Sequence, residues 1–593
     1  MTDSTSSPEP LDPRLEADRS LLQDAQAKGM GATLKAFVKL SGPGWLQSAI
    51  TLGGGSLGGA LFLGILGGTD LLWLQLMAIV MGVIMLSAIS YVTLSTGERP
   101  FRLINNHINP ALGWGWIIAT MLANMIWCMP QFALCFTAFQ KNLLPDMVDG
   151  SDKAKMSVSV IILLAATVAV FLNSRPGIAM KIFDWTLKGL IGIVVVCFVG
   201  VVVLLTMNGV LNWSEIFSGF VPNLSQWNRP TGKLAELIAP LPANVQDFWN
   251  TSIVDKQRGV MIAAAATAVG INMTFLMPYS MLRRRWDRSF RGLSRFDLST
   301  GMAIPYVLVT SCVVIAAASQ FHAQADKDFL SSDVATVQKS SLYQGASKTL
   351  LNRIKLEDPD TNLGDKGQEE ALAAAVAAMS QDEKILAAAT VKRKASDLAL
   401  AIAPLLGDQK ARLAFGIGIF GMGFSTIIIL MLINGFAVCE LTNRPLGGTV
   451  QFVGSLIAGI VGFMWWKIWQ GDNQIYLTIV ASKFGMMLLP IAYVTFFMMM
   501  NSNSILGSDR PRGISALVWN ALMLFAVAGA ITAAGSAIYG SLTTTKNANE
   551  PYIVGGLLVV YAIAIVLGFV NKKKTSTVNE VHQPPRIVHK NRR

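Results

Sequence analysis

The sequence predicts an all-α polytopic membrane protein of about twelve transmembrane helices, with the first and sixth helices discontinuous. Composition is the first reason. Of the 593 residues, 52% are hydrophobic and 14% charged, with a mean hydropathy of +0.48, whereas a soluble domain carries about 25% charged residues. Recurrence is the second, because apolar runs of roughly 20 residues, enough to cross a bilayer, follow one another along the chain. The third is the run from Ser41 to Gly68, which carries Gly53-Gly54-Gly55-Ser56 at its centre.

That centre should not hold a helix. Each glycine costs about 1 kcal/mol against alanine in a helix interior, and freed backbone polar groups cannot face lipid. A break at membrane depth therefore lines a protein-enclosed cavity, which is where secondary transporters bind substrate. The second half of the span opens with N–H groups near Gly54 to Leu57 that carry partial positive charge. Glycine also lets a ligand approach the backbone closely. Gly53, Gly54, Gly55 and Ser56 are the first candidate substrate-binding residues.

Residues 1–40 read as a cytosolic arm with an exposed, mixed-charge helix at 13–35. No cleavable signal is expected, since 1–12 is polar and the first apolar span is too long for a signal core. The membrane domain begins at 41 and its first part runs to 319. Its second span is Leu71 to Leu94, followed by a loop with Glu98, Arg99 and Arg102. The third runs from about Gly113 to Phe139, the fourth from Ser157 to Leu172 and the fifth from Ile182 to Met207. Residues 208–255, rich in Trp, Asn and Pro, read as a structured external loop.

The sixth span starts near Val260, and Asn272, Thr274 and Pro278 interrupt it. Proline lacks the N–H and clashes with the preceding turn, so a second break is expected there. Asn272 and Thr274 can hydrogen-bond a ligand or satisfy the freed backbone. Arg283-Arg284-Arg285-Trp286, with Arg288, Arg291 and Arg295, reads as an anchor at the lipid headgroups.

The seventh span covers about Leu298 to Ser319. An external helical insertion follows at 320–410, in which Ser380 and Glu383 read as a capping box. The second part of the membrane domain, 411–570, holds spans at about 412–438, 449–468, 474–500, 515–539 and 552–570. A basic tail, 571–593, closes the chain. With twelve spans both termini share one side. The basic loop residues also fall there, which assigns that side to the cytosol and the chain to the plasma (inner) membrane.

Breaks in spans one and six imply that spans 1–5 and 6–10 are one unit used twice. An odd number of spans per unit inverts the second copy, so the two broken helices meet at the midplane. Spans eleven and twelve are peripheral additions. Two polar residues inside spans, Gln131 and Lys483, are candidates for coupling or gating.

The basic residues lie in short loops and the tail, not in a polar domain, so no nucleic-acid partner is expected. The partners expected are the bilayer and a small-molecule or ion substrate. The five cysteines sit in or at the end of apolar spans without metal spacing. No enzymatic constellation stands at membrane depth, and no cofactor is expected.

Four stretches resemble the Nramp metal-ion transporters. GPGWLQSAI before the glycine run resembles their first helix, and Met277-Pro278-Tyr279 their sixth-helix Met-Pro-His. GFSTIIILMLINGFAVCE at 423–440 resembles their eighth helix, and LPIAYVTFFMMMNSNSILGS at 489–508 their tenth. The resemblance covers roughly 40–510 and implies a LeuT-type fold with a 5+5 inverted repeat.

The family's first-helix Asp-Pro-Gly-Asn becomes Gly53, Gly54, Gly55 and Ser56 here. Its metal-binding methionine falls on Met277, and its alanine carbonyl on Thr274. Its two sixth-helix histidines fall on Tyr279 and Arg284, and its third-helix acidic pair on Pro130 and Ala133. The family-equivalent metal positions are therefore Gly53, Ser56, Thr274 and Met277.

A unit charge pair at 4 Å gains about 4 kcal/mol at an effective dielectric near 20, and a divalent ion doubles that. The missing carboxylate thus argues against proton-coupled Mn²⁺ or Fe²⁺ transport. Three readings remain: a metal-ion transporter with a reworked site, a transporter of a small organic anion or zwitterion bound at the glycine break, and a non-transporting sensor. A sensor of this kind is expected to carry a sizeable output domain, and about 23 residues follow Val570.

Overall fold

The structure, a computed structural model, describes residues 13–175, 177–365, 367–393, 397–398, 408–468, 484–543 and 549–581. Among the described residues the regular structure is helical throughout, with no strand. Eight helices among the described residues are long and apolar enough to cross a membrane. They correspond to the expected spans two to five, seven, eight, eleven and twelve. Two more spans are bent pairs, Pro43–Thr51 with Gly54–Gly67 at 54° and Met487–Met500 with Asn503–Asp509 at 64°. The expected ninth span is the shorter apolar helix Gly448–Phe463, and the start of the tenth lies outside the described residues.

The first span breaks where its glycines predict. Its first half, Pro43–Thr51, begins with proline, whose missing N–H is one of the orphans of a helix start. Gly53 then takes an extended conformation and opens the second half, Gly54–Gly67.

The sixth span differs from expectation twice. It begins at Ala243, seventeen residues before the apolar run at Val260, so the end of the expected loop 208–255 is helix. It also breaks at 268–270, ahead of Asn272, and Pro278 lies inside the continuous second half Ile271–Arg283. Gly270, extended at φ −84° and ψ 168°, opens that half as Gly53 opens its counterpart. Glycine next to the break, not proline, ends this helix.

The two broken spans pair crosswise. Pro43–Thr51 packs against Ile271–Arg283, and Gly54–Gly67 packs against Ala243–Thr267. This is the pairing an inverted repeat produces. The third span, Pro110–Ala138, and the eighth, Asp408–Leu441, lie against each other beside the break. The eighth is 83% buried over its most apolar window, whereas the last two spans are 22% and 6% buried. Spans eleven and twelve are thus peripheral.

The arm is less solvated than its composition predicts. It forms two helices, Pro13–Ala27 and Met30–Leu40, with Leu22 and Ala25 buried and Arg19 paired to Asp287 at 2.5 Å. In the 320–410 segment, five helices lie between Lys327 and Ala389. Ser380 accepts from the Glu383 N–H at 3.3 Å, which is half of the expected capping box. The Glu383 carboxylate instead accepts from Arg353 at 2.6 Å and from Trp249 of the sixth span at 3.1 Å.

Candidate functional site

The interrupted centre of the first span is enclosed by three other spans. Each of its glycines marks a close approach. A Cβ on Gly53 would stand 2.8 Å from Thr426 Oγ1, and one on Gly54 would stand 2.9 Å from Leu134 Cδ2 and 3.2 Å from Gln131 Oε1. One on Gly55 would stand 3.4 Å from the Trp127 ring. Side chains from the third and eighth spans fill the space that a larger residue would need.

The third span reaches the break through Gln131. Its side-chain oxygen accepts from the Gly54 N–H at 3.0 Å, satisfying the first orphan donor of the second half-helix. Gln131 is buried and follows Pro130, which sits inside the helix. The neighbouring Ser56 turns back, and its hydroxyl donates to the Thr51 carbonyl at 2.5 Å, tying the two halves together. On the other side the eighth span presents Ser425 and Thr426. Both hydroxyls lie within hydrogen-bond distance of the Ala49 carbonyl, at 3.2 and 2.9 Å.

The sixth-span candidates separate. Asn272 is buried near its break and donates to Asn124 Oδ1 at 3.3 Å. Thr274 donates to its own turn, to the Ile271 carbonyl at 2.5 Å, and accepts from Trp116 at 2.9 Å. Met277 and Tyr279 are fully buried in the unbroken half-helix, with the Tyr279 ring stacked on Phe275 at 4.1 Å. They lie seven and nine residues past Gly270, more than one helical turn of 5.4 Å from the break. Lys483 lies outside the described residues.

Three contributors escaped the sequence reading. Met273 brings its sulfur to 3.5 Å from the Thr51 hydroxyl, so it is the thioether at the end of the first half-helix. Gln47 donates to the Met273 carbonyl at 3.2 Å, and its own side-chain oxygen is buried without a hydrogen-bond partner among the described residues. Gln47 had a readable signal, a polar side chain inside an apolar span. Met273 had none, being one methionine among 27.

The third contributor is Asp297, at the far end of the same half-helix. Its carboxylate, fully buried, accepts from the Ser41 hydroxyl and from the N–H groups of Gly42 at 3.0 Å and Gly44 at 2.7 Å. Gly44 leaves the room for this, since a Cβ there would stand 2.1 Å from the Asp297 carbonyl oxygen. Lys188 donates to the Ser41 carbonyl at 2.8 Å, and one terminal nitrogen of Arg284 donates to both Asp184 carboxylate oxygens, at 2.7 and 2.9 Å. Arg284 is thereby a member of a charged network at the start of the first span.

The groups at the break are chemically uniform. Gln47, Thr51, Ser56, Gln131, Met273, Ser425 and Thr426 offer neutral oxygen, amide and thioether atoms. Among the described residues no group of three or more His, Cys, Asp or Glu could hold a metal ion. Such a setting can bind through dipoles and carbonyl lone pairs, but it offers no full counter-charge.

The family model described as natural resistance-associated macrophage protein-like, Nramp, matches residues 44–351 and 371–537. Among solved structures, a histidine-to-alanine mutant and a glutamate-to-glutamine mutant of the Eremococcus coleocola manganese transporter each align with a TM-score of 0.58 and 13% identity. These alignments cover 91% of this chain and 96% of that one. The same transporter in complex with an aromatic bis-isothiourea substituted compound aligns at 0.57 with 14% identity and the same coverage. At such identity the likeness is one of fold. No curated protein matches the chain by sequence.

Proposed function

The chain belongs to the Nramp family, and from that premise we propose that it is a secondary-active transporter of a metal ion whose cargo is held by neutral donors at the first-span break. One observation carries the reading. Gly54, Gln131, Thr51 and Met273 converge there from the first, third and sixth spans without a carboxylate. The solved structures of the same fold are those of a manganese transporter, which supports a metal ion as the class of cargo.

Proton-coupled Mn²⁺ or Fe²⁺ transport is not the activity proposed. Hard divalent ions seek carboxylate oxygen, and Gly53 and Ser56 stand where the family keeps Asp and Asn. Pro130 and Ala133 stand where it keeps an acidic pair. In this reading Gln131 acts as a gate, because freeing the Gly54 N–H or the amide oxygen requires its movement. The protein spans the plasma (inner) membrane with both termini cytosolic, and it transports rather than catalyses.

A small organic anion or zwitterion is the second reading, favoured by the glycine-lined N-terminus of Gly54–Gly67. The Gln131 cap weighs against it, since that amide oxygen occupies the first N–H an anion would use.

Binding and uptake measured on purified protein with Mn²⁺, Mg²⁺, monovalent cations and amino acids decide between the two. Ion binding that is lost on Gly54→Leu is the expected outcome. Failure of every ion to bind at millimolar concentration overturns the metal-ion reading, and unaltered transport by Gly54→Leu overturns the location.

A further inference from the structure

We infer that the arm helix Met30–Leu40 lies in the membrane interface and binds anionic phospholipid, with Met30, Leu34 and Val38 among the acyl chains and Lys35 and Lys39 at the headgroups. The two helices of the arm treat their apolar side chains oppositely. Pro13–Ala27 buries Leu15 and Leu22 and turns Glu16, Gln23 and Asp24 outward. Met30–Leu40 instead leaves Met30 79%, Leu34 44% and Val38 64% exposed.

These three residues recur at every fourth position and form one stripe along the helix. Lys35 and Lys39, both exposed, follow Leu34 and Val38 by one residue, about 100° further round. The remaining side faces the protein. Ala36 is buried, the Phe37 ring lies 5.4 Å from that of Phe296, and Leu40 packs against the core. The helix contains no acidic residue.

Its place is fixed from both ends. Gly29, at φ 102°, makes the corner between the two arm helices, and the Thr33 hydroxyl lies 3.0 Å from the Gly29 carbonyl and 3.2 Å from that of Ala25. At the other end the first span begins at Pro43, and Lys188 of the fifth span donates to the Ser41 carbonyl. Within one turn of Lys188 stands Trp185, which is 77% exposed. Tryptophan is enriched at the level of the headgroups, so the helix joins the membrane domain at that level.

The lysines decide between lipid and protein as the cover of the stripe. Lysine is depleted at the core of protein interfaces. At a membrane its stem covers apolar surface while the ammonium reaches the headgroups. A helix with one apolar and one basic face is held in the interface by apolar burial and by attraction to anionic lipid. Because Met30–Leu40 runs through Ser41 into Pro43–Thr51, lipid bound here acts on the start of that half-helix. Any effect on cargo movement rests on the transporter reading, whereas the lipid binding does not.

A nitrobenzoxadiazole probe on Leu34→Cys tests the position, in the purified full-length chain in nanodiscs of phosphatidylcholine alone or mixed with phosphatidylglycerol. The unsubstituted chain, taken through the same labelling, supplies the background of the native cysteines. Gln23→Cys on the first arm helix is the comparison. In the mixed bilayer, lipid carrying a nitroxide should quench the probe at 34 more than that at 23, and aqueous iodide should do the reverse. The ratio of lipid-buried to water-exposed probe at 34 should fall about tenfold or more in Lys35→Gln/Lys39→Gln, from about fivefold per lysine near an anionic surface. Lys35→Arg/Lys39→Arg should retain it.

Each variant is first shown to be monodisperse with an unchanged melting temperature. Equal iodide quenching at 34 and 23 overturns the inference, as does a probe at 34 that neither quencher reaches, which marks a protein contact. The same ratio in Lys35→Gln/Lys39→Gln as in the parent, or in phosphatidylcholine alone as in the mixture, overturns the selectivity for anionic lipid. Cargo binding that persists in any of these cases leaves the transporter reading standing.

Discussion

The half-helix Pro43–Thr51 is held in opposite ways at its two ends. At its start, the buried Asp297 carboxylate accepts from Ser41, Gly42 and Gly44, with Lys188 and the Arg284–Asp184 pair close by. At its end, the contacts come from the uncharged Ser425, Thr426, Ser56 and Met273. Both ends satisfy orphan backbone groups, and the negative charge at the start complements the helix dipole. The difference teaches where this chain spends charge: on fixing the helix, and not at the break. Among the described residues, the contacts at the break are dipoles alone.

The largest expected effect breaks the charged end. Asp297→Ala strands a buried hydroxyl and two N–H groups and removes the negative partner of the helix start. The cost is about 3–5 kcal/mol, as for other buried charge partners removed singly. Asp297→Asn keeps one acceptor oxygen and should cost less. Thermal unfolding followed by size-exclusion chromatography reads both. An Asp297→Ala chain as stable as the wild type would mean that this carboxylate does not anchor the helix.

The next variants move charge to the neutral end. Gln131→Ala leaves the Gly54 N–H without its acceptor, worth about 1–3 kcal/mol. Gln131→Glu retains an acceptor and places a carboxylate at the N-terminus of the second half-helix. A divalent ion near that group gains about 8 kcal/mol at an effective dielectric near 20, before dehydration is subtracted. Mn²⁺ affinity should therefore rise tenfold or more in Gln131→Glu, measured by calorimetry. Unchanged affinity would show that the cargo does not reach Gln131.

Both ends of this helix were unequally legible in the sequence. The break itself could be read directly, because three consecutive glycines followed by serine cannot sustain a helix in lipid, and the structure bends there by 54°. The crosswise pairing with span six was also legible, from the positions of two breaks. The sixth break falls earlier than the sequence predicts, because proline carries a stronger written signal than Gly270, yet a proline whose ring is accommodated bends a helix without ending it. Asp297 went unseen for a different reason. Its partners, Ser41 to Gly44, lie more than 250 residues away, and nothing local distinguishes it from an interfacial aspartate. Long-range pairing of that kind is written in no single stretch.

A tighter test of the neutral end is a double-mutant cycle. Gly53→Ala puts a Cβ 2.8 Å from Thr426 Oγ1 and 3.2 Å from its Cγ2, an overpacking worth about 1–3 kcal/mol. Thr426→Ala removes both atoms, so the double variant should recover part of the loss. A coupling energy of about 0.5–3 kcal/mol is expected for residues in contact. Additive losses in thermal or denaturant unfolding would place Gly53 and Thr426 apart.

The smallest effect concerns the residue with the loudest sequence signal. Pro278 lies within Ile271–Arg283, eight residues past Gly270, and the helix continues to Arg283 around it. Alanine at this position supplies an N–H to the preceding turn and removes the ring's clash with it, while the break at 268–270 keeps its own cause in the glycine. Pro278→Ala should therefore shift stability by less than about 1 kcal/mol and leave ion binding within a few-fold of the wild type. If instead Pro278→Ala abolishes binding while the chain stays folded, the working interruption of span six lies at the proline, and the two broken helices would not be opened by the same device. Retained binding would assign both openings to glycine, and would make the uncharged contacts around Gly53, rather than the shape of span six, the part of the site that sets the cargo.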